Sequence, residues 1–92
     1  MKFLVVNGPN INMTGIREQG VYGARNYAEI TAMIQAEAKR REIEIEVVQS
    51  NIEGEMINAI QRCYFENMDG LIINPGAYTH TSYALHDAIK SI

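Results

Sequence analysis

The chain has 92 residues, which is room for one domain with a modest core. Hydrophobic residues make up 47% and charged residues 21%, as in ordinary globular proteins, and the net charge of -3 excludes the basic footprint of a nucleic-acid binder. The first apolar run, Phe3–Val6, is too short for a signal-peptide core or a membrane span. The single cysteine, Cys63, cannot form an internal disulfide. We therefore expect a cytoplasmic protein without membrane or nucleic-acid partners.

The first half of the chain predicts a strand, a long loop, a helix and a second strand. The first strand covers about Lys2 to Val6, and the segment from Asn7 to Arg25 has neither helical nor strand periodicity. Asn26 and Glu29 are spaced as a capping box and predict the start of a helix. The apolar face of this helix comprises Tyr27, Ile30, Ile34 and Ala38. The second strand, Ile43–Val48, begins with polar alternation that is typical of a sheet edge.

The second half predicts another helix, a strand and a last helix. Ser50 and Glu53 form a second capping-box pattern. The apolar stripe of the helix that follows comprises Met56, Ile57, Ile60 and Tyr64. Asp69 and Gly70 form the turn into the third strand, Leu71–Ile73, and a helix is expected over Ser82 to Ile89. Tyr83 or Ala84, together with Ala88 and Ile89, is available for the packing of that helix.

The alternation of strands and helices predicts an α/β fold with a parallel sheet and helices on both faces. A flavodoxin-like strand order of 2-1-3 fits best, because the second strand has the pattern of an edge and the first does not. Leu71–Ile73 is apolar on both faces and carries no charge that would protect an edge. It reads as a central strand, so we expect residues 1–92 to be a single domain that is truncated, with later strands absent at its C-terminus.

Polar turn residues follow two of the apolar strands. Asn7–Asn10 follows the first strand, and the segment from Asn74 to Ser82 follows the third. In open α/β sheets, ligands bind beyond the carboxyl ends of the strands. Both segments therefore predict one shared pocket.

Arg17 and Tyr22 are the candidate catalytic pair in the long loop. A guanidinium near a tyrosine favours the phenolate and lowers the phenol pKa, so a glycine-bearing loop with both residues could close over a substrate and supply a base. The alternative from spacing alone is a loop tyrosine that packs on the core beside a solvated arginine.

Asn10 and Asn74 could donate hydrogen bonds to an anionic substrate, or could simply form turns. His80 lies at a helix start, where it could hold a carboxylate or hydroxyl. At least one of Thr79, Thr81 and Ser82 is expected to cap that helix.

We expect no catalytic role for His86 or Cys63. His86 is mid-helix and is interpreted as a surface residue, whereas Cys63 is interpreted as a small apolar core residue rather than a catalytic thiol. The spacing of His, Cys and carboxylate residues does not suggest a metal site.

Four ordered motifs resemble type II 3-dehydroquinate dehydratase along the whole chain, which matches the N-terminal part of the family pattern. The motifs are Asn7–Asn12, then Gly15 with Arg17, Glu18 and Val21–Gly23, then Gln49–Asn51 with Glu53–Glu55, and finally Asn74–Ala77 with Thr79–Ser82. Ala84, Leu85, Asp87 and Ala88 continue the match. The resemblance implies the trans elimination of water from 3-dehydroquinate in the shikimate pathway, through an enolate and without a metal or organic cofactor. It also implies a higher homo-oligomer, a dodecamer built of trimers.

The resemblance also implies roles for individual residues. Tyr22 matches the general base, Arg17 matches the residue that supports its ionised form, and Asn10 matches the residue that helps hold a water against the enolate. Asn74 and His80 match ligands of the substrate hydroxyls, with Thr81 and Ser82 beside them in the same motif. Asp87 matches a residue that reaches the neighbouring subunit's site.

Two departures from the family pattern affect these expectations. Ile52 stands where the family commonly has a histidine, and this substitution is peripheral to the expected site. Family members also continue into another strand and a segment with a histidine general acid, so the 92 residues alone are expected to be catalytically impaired. The alternative functions are a non-catalytic binding or assembly module with the same half of the pocket and, less favoured, a phosphate or nucleotide binder. The last is disfavoured because neither a G-x-G-x-x-G nor a Walker pattern is present.

Overall fold

The computed structural model describes residues 1–16 and 25–92. The strands are β1 (Lys2–Asn7), β2 (Glu44–Gln49) and β3 (Gly70–Asn74). The helices are α1 (Tyr27–Arg40), α2 (Glu53–Phe65), the four-residue α3 (Tyr78–Thr81) and α4 (Tyr83–Lys90), and a 3₁₀ turn covers Ile11–Met13. The predicted alternation of strands and helices is confirmed.

The three strands form a parallel sheet in the order β2-β1-β3, as predicted. Val5 of β1 is opposite Val47 on one side and Ile72 on the other. The last four residues of β1 are buried, whereas Glu44 at the start of β2 is exposed. The central strand is therefore the one with a continuous apolar run, and the alternating strand lies at an edge.

Helices pack on both faces of the sheet. On one face, the core joins β1 to α2 and α4, and Leu71 and Ile73 of β3 pack against it. The buried residues of this core are Leu4, Val6, Met56, Ala59, Ile60, Cys63, Leu85 and Ala88. On the other face, α1 contacts β2. Met33 and Ile34 of α1 line a groove of about 380 Å³ with Phe3, Ile45 and Ile72 of the sheet.

Local capping confirms one helix start and corrects another. Asn26 accepts a hydrogen bond from the backbone N–H of Glu29 at 2.9 Å, as its position predicts. The predicted capping box of Ser50 and Glu53 is wrong, because α2 begins at Glu53 with Ile52 as its N-cap. Ser50 instead accepts from the N–H of Ile52 at 3.0 Å and donates to Glu55 at 2.7 Å. It therefore shapes the turn before the helix.

The packing faces predicted for α2 and α4 both need correction. Cys63 is in the buried stripe of α2, and Tyr64, about 100° further around the helix, is 67% exposed. The Tyr64 ring contacts Phe65 edge to face, with centroids 5.3 Å apart. In α4, Leu85 and Ala88 are buried, whereas Tyr83 is 90% exposed, Ala84 is exposed and Ile89 is 38% exposed, so Ala88 alone of the predicted packing residues is confirmed. Each helix turns only a narrow stripe of small or aliphatic side chains towards the sheet.

A charged cluster joins β2 to α2 on the same face as the core. The guanidinium of Arg62 donates to both carboxylate oxygens of Glu46 at 2.9 Å and to Glu66 at 2.7 Å. These hydrogen bonds lower the pKa of Glu46 and raise that of Arg62. The cluster ties the edge strand to the helix that covers the sheet.

Candidate active site

The three parallel strands end at the same edge of the sheet, with one amide side chain at the end of each. Asn7 of β1 is opposite Gln49 of β2 and Asn74 of β3. Asn7 is buried and its side-chain amide donates to the Tyr27 hydroxyl at 3.3 Å, while Asn74 is exposed. This carboxyl edge is the place where a ligand of an open α/β sheet is expected.

The turns after β1 and β3 are in direct backbone contact. The N–H of Gly8 donates to the carbonyl oxygen of Asn74 at 2.7 Å. A Cβ on Gly76, whose φ is +61°, would lie 2.9 Å from the carbonyl oxygen of Pro9. Glycine is required at both positions, since the backbones approach closely and Gly76 adopts a left-handed conformation. The predicted convergence of these two segments is confirmed.

Asn51, two residues after β2, lies at the same edge and contacts the segments that follow β1 and β3. Its side-chain oxygen accepts from the backbone N–H of Asn10 at 3.1 Å and from the Gln49 amide at 3.0 Å. Its backbone carbonyl accepts from the hydroxyl of Tyr78, in α3, at 3.3 Å. Gln49 also donates to the carbonyl of Gly8 at 3.1 Å. One residue thus connects the segments that follow all three strands.

Asn10 stands at the entrance of the 3₁₀ turn with a left-handed φ of 67°. Its carbonyl accepts from the N–H of Met13 at 2.9 Å, so its backbone is held at both ends. Its side chain is exposed and makes no capping hydrogen bond to this turn. Asn10 is both a turn former and a side chain presented to solvent near the edge.

The candidates after β3 are distributed along two short helices. His80 and Thr81 are exposed and end α3, so the expectation that His80 starts a helix is wrong. The backbone N–H of His80 donates to the carbonyl of Ala77 at 3.1 Å, and the Thr81 hydroxyl donates to the same carbonyl at 3.5 Å. Asp87 and His86 are exposed residues of α4. His86 is therefore a surface residue, as expected.

Ser82 caps α4, which confirms the capping role expected for one of the three hydroxyl residues. Its oxygen accepts from the N–H of Leu85 at 3.0 Å. The same hydroxyl donates to the Glu53 carboxylate at the start of α2. These two partners fix the junction between α3 and α4.

Arg17 and Tyr22 lie outside the described residues. The described residues on either side of segment 17–24 are in contact: a Cβ on Gly15 would lie 2.6 Å from the carbonyl oxygen of Arg25. Tyr27, two residues after Arg25, reaches Asn7 at the end of β1. The described flanks, Gly15 and Arg25, are therefore close to each other, and Tyr27 connects the chain after them to the carboxyl edge.

The environment of Cys63 is that of a packing residue. Cys63 is buried in the core, and burial raises the pKa of its thiol, which matches a packing role. Within residues 1–16 and 25–92, no group of three or more His, Cys, Asp or Glu side chains could hold a metal ion. In the same ranges, no helix is both long and apolar enough to cross a membrane.

The sequence matches the dehydroquinase class II family over residues 1–92. The chain belongs to this family. It is 60% identical over all 92 residues to a 3-dehydroquinate dehydratase of Clostridium beijerinckii and 53% identical to one of Lachnospira eligens. In each case it covers 63% of the relative, so it spans less than two thirds of their length.

Solved structures of class II dehydroquinases have the same fold. The type II dehydroquinase of Butyrivibrio crossotus superposes with a TM-score of 0.96 at 54% identity, over 99% of this chain and 63% of that one. The type II dehydroquinase of Propionibacterium acnes gives a TM-score of 0.88 at 30% identity, over 95% and 59% of the two chains. The family resemblance and the flavodoxin-like α/β fold predicted from sequence are confirmed.

In this dehydroquinase class II chain, sequence reasoning missed Asn51 and its partners Gln49 and Tyr78 as residues that organise the edge. In the sequence alone, Gln49–Asn51 stands out only as a motif of the family resemblance. It follows β2 directly, so the rule that singled out the segments after β1 and β3 applies to it equally. That position was the signal available in the sequence.

Proposed function

We propose that this protein catalyses the trans elimination of water from 3-dehydroquinate, giving 3-dehydroshikimate. Membership of the dehydroquinase class II family supports the reaction. The observation that carries the proposal for this chain is the joined carboxyl edge, where Asn51 links the segments of Asn10 and Tyr78 and where the flanks of segment 17–24 meet. The contact between Gly15 and Arg25, which flank the segment with the proposed base, supports the assignment of the reaction to this edge.

In the proposed reaction, the phenolate of Tyr22 removes a proton from the carbon next to the substrate ketone. The electron pair of the broken C–H bond moves into the carbonyl and forms an enolate. Collapse of the enolate expels the substrate hydroxyl, which takes a proton from solvent and leaves as water, and a carbon–carbon double bond remains. The Tyr22 phenol then returns the abstracted proton to solvent. Arg17 keeps Tyr22 ionised, because a nearby cation lowers a phenol pKa from its ordinary value of about 10.

Asn10 is proposed to hold a water that stabilises the enolate. Charge develops on the former carbonyl oxygen, so donors that are fixed before the reaction lower the barrier most. The exposed Asn10 side chain on a backbone that is hydrogen-bonded on both sides supports this assignment. No metal or organic cofactor is needed for these steps.

Asn74 and His80 are proposed to bind the substrate hydroxyls, with Thr81 and Ser82 beside them and Asp87 directed to the site of a neighbouring subunit. The exposure of Asn74, His80 and Asp87 supports these roles. We also propose a cytoplasmic homo-oligomer, a dodecamer of trimers, that acts in the shikimate pathway.

The decisive experiment incubates the folded protein with 3-dehydroquinate and follows the ultraviolet absorbance of the new conjugated double bond. Turnover, even at the impaired rate expected of the 92 residues alone, that persists in the presence of a metal chelator is the expected result. Binding without turnover, measured by calorimetry, would favour a non-catalytic binding module. A folded preparation that neither binds nor converts 3-dehydroquinate would overturn the proposal.

A further inference from the structure

Asn51 occupies an unusual place at the carboxyl edge, because its side chain and its backbone carbonyl together connect three separate segments. Its side-chain oxygen accepts two hydrogen bonds, one from the Asn10 backbone across 41 positions of sequence and one from Gln49. Both partners are N–H donors, so only the oxygen of the amide can face them. The orientation of the Asn51 side chain is therefore fixed by its surroundings.

The hydrogen bond to Asn10 acts at a strained point of the backbone. Asn10 has a φ of 67°, a left-handed conformation that costs most residues energy and that asparagine tolerates better than most. The carbonyl of Asn10 is already engaged by Met13, and Asn51 engages its N–H. With both groups held, the direction in which the Asn10 side chain leaves the backbone is defined.

The backbone carbonyl of Asn51 acts on the other half of the edge. It accepts from the hydroxyl of Tyr78, the first residue of α3, and His80 follows two residues later. Gln49 supports the same arrangement by bridging Asn51 to the carbonyl of Gly8. Asn51 is thus hydrogen-bonded both to the segment that carries Asn10 and to the segment that carries His80.

We propose that Asn51 is a positioning residue that fixes the Asn10 side chain for stabilisation of the enolate; this inference rests on the proposed function. Asn51 acts through Asn10 and does not touch the reacting atoms. Its removal affects the step in which charge develops more than it affects substrate binding. A misplacement of about 1 Å at a catalytic group can reduce the rate by roughly 100-fold.

The test compares Asn51→Leu, which loses the acceptor at similar size, with Asn51→Asp, which retains it. Asn58→Leu, an exposed asparagine on α2, is the matched control. We expect Asn51→Leu to lower kcat by about 10- to 100-fold with a KM change of less than threefold. Asn51→Asp and Asn58→Leu retain most of kcat. A loss in Asn51→Leu that appears only in KM, or an equal loss of kcat in Asn51→Asp, would overturn the inference.

A double-mutant cycle separates action through Asn10 from a general structural effect. If Asn51 acts through Asn10, the variant with both Asn10→Ala and Asn51→Leu loses no more kcat than Asn10→Ala alone. If the reduction of kcat in the double variant equalled the product of the reductions in the two single variants, the proposal would be contradicted. All variants are compared at a temperature at which circular dichroism shows them folded.

Hydrogen exchange at the Asn10 amide gives a readout that does not depend on activity. Exchange should accelerate in Asn51→Leu by at least tenfold and remain slow in Asn51→Asp and Asn58→Leu. If the exchange results hold and the protein neither binds nor converts 3-dehydroquinate, the tie between Asn51 and Asn10 stands and the proposed function fails. If Asn10 exchange is unchanged in Asn51→Leu, the inference fails whatever the activity.

Discussion

A Cβ atom on Gly8 would lie 2.6 Å from the carbonyl oxygen of Pro75, because the turns after β1 and β3 touch through their backbones. Gly8 is buried, and its N–H is committed to Asn74. A side chain at this position can be accommodated only if one strand end moves away from the other. The candidate site therefore depends on a contact between two loops that are distant in sequence.

This contact predicts the effect of Gly8→Ala. The free energy of unfolding should fall by about 1–3 kcal/mol, the usual range for overpacking a buried position. Gly54→Ala is the control, because a Cβ there has no atom within 4 Å, and its stability should be unchanged or raised by up to about 1 kcal/mol. Equilibrium denaturation measures both variants. Equal stabilities of the two would contradict the close approach of Gly8 and Pro75.

The Glu46–Arg62 ion pair predicts a pH-dependent contribution to stability. Hydrogen bonds from Arg62 lower the pKa of Glu46 in the folded protein, so the folded state holds this proton less tightly than the unfolded state. The stabilisation is therefore present above the ordinary glutamate pKa of about 4.3 and is lost as the pH falls through the lower folded value. Both side chains are partly exposed, so solvent screening limits the contribution at pH 7 to at most about 1 kcal/mol.

Glu46→Gln tests this contribution. The variant should be less stable than the parent protein at pH 7, and the difference should narrow steadily below pH about 4. Glu44→Gln is the control, since Glu44 is exposed at the start of the same strand. Denaturation curves measured across this pH range give the comparison. If the stability lost in Glu46→Gln increased as the pH fell, the proposed pKa shift of Glu46 would have the wrong direction.

The proposed role of Tyr22 as the base predicts that removal of its hydroxyl group abolishes most of the dehydratase activity. Tyr22→Phe should reduce dehydratase activity by about 10²–10⁴-fold, the usual contribution of a positioned general base. Arg17→Ala should act in the same direction, by letting the tyrosine pKa return towards about 10. Tyr64→Phe, on the exposed end of α2, should leave kcat unchanged. Full activity in Tyr22→Phe would remove Tyr22 from the mechanism.

The free edge of β3 predicts self-association of the 92-residue chain. Among residues 1–16 and 25–92, β3 pairs only with β1, and Ile72 on this strand is 55% exposed. An unprotected apolar edge favours pairing with another strand. Sedimentation should show association that Ile72→Thr reduces and that Ile52→Thr, a change at another exposed isoleucine, leaves unchanged.

Hydrogen exchange on the amides of Gly70–Asn74 adds to this test. Association through the edge should protect the amides that face away from β1. A stable monomer of the 92-residue chain with these amides unprotected would show that β3 is an ordinary edge strand rather than a central one.

Cys63 should behave as a packing residue. Its burial in the α2 stripe raises the thiol pKa and limits access, so a maleimide should react with it only as the protein unfolds. Cys63→Ala should leave kcat unchanged. Rapid labelling of the folded protein, or loss of activity in Cys63→Ala, would contradict this assignment.

The sequence by itself determined the strands, their order and the edge at which the site lies. A short apolar run that is bounded by turn residues, such as Phe3–Val6, favours a buried strand of a parallel sheet, and polar alternation in β2 indicates an edge. The cap of α1 at Asn26 was equally predictable, because its partner Glu29 is three residues away. These features depend on local composition and spacing.

The tertiary structure alone decided which side chains organise the site. Asn51 meets Asn10 and Tyr78 across 41 and 27 positions of sequence, and those meetings depend on the register of three strands rather than on any local pattern. The exposure of Tyr64 was decided in the same way, because the narrow contact between α2 and the sheet accommodates Cys63 instead. Local periodicity fixes which elements form, whereas packing between elements decides which face and which hydrogen-bonding partner each side chain finds.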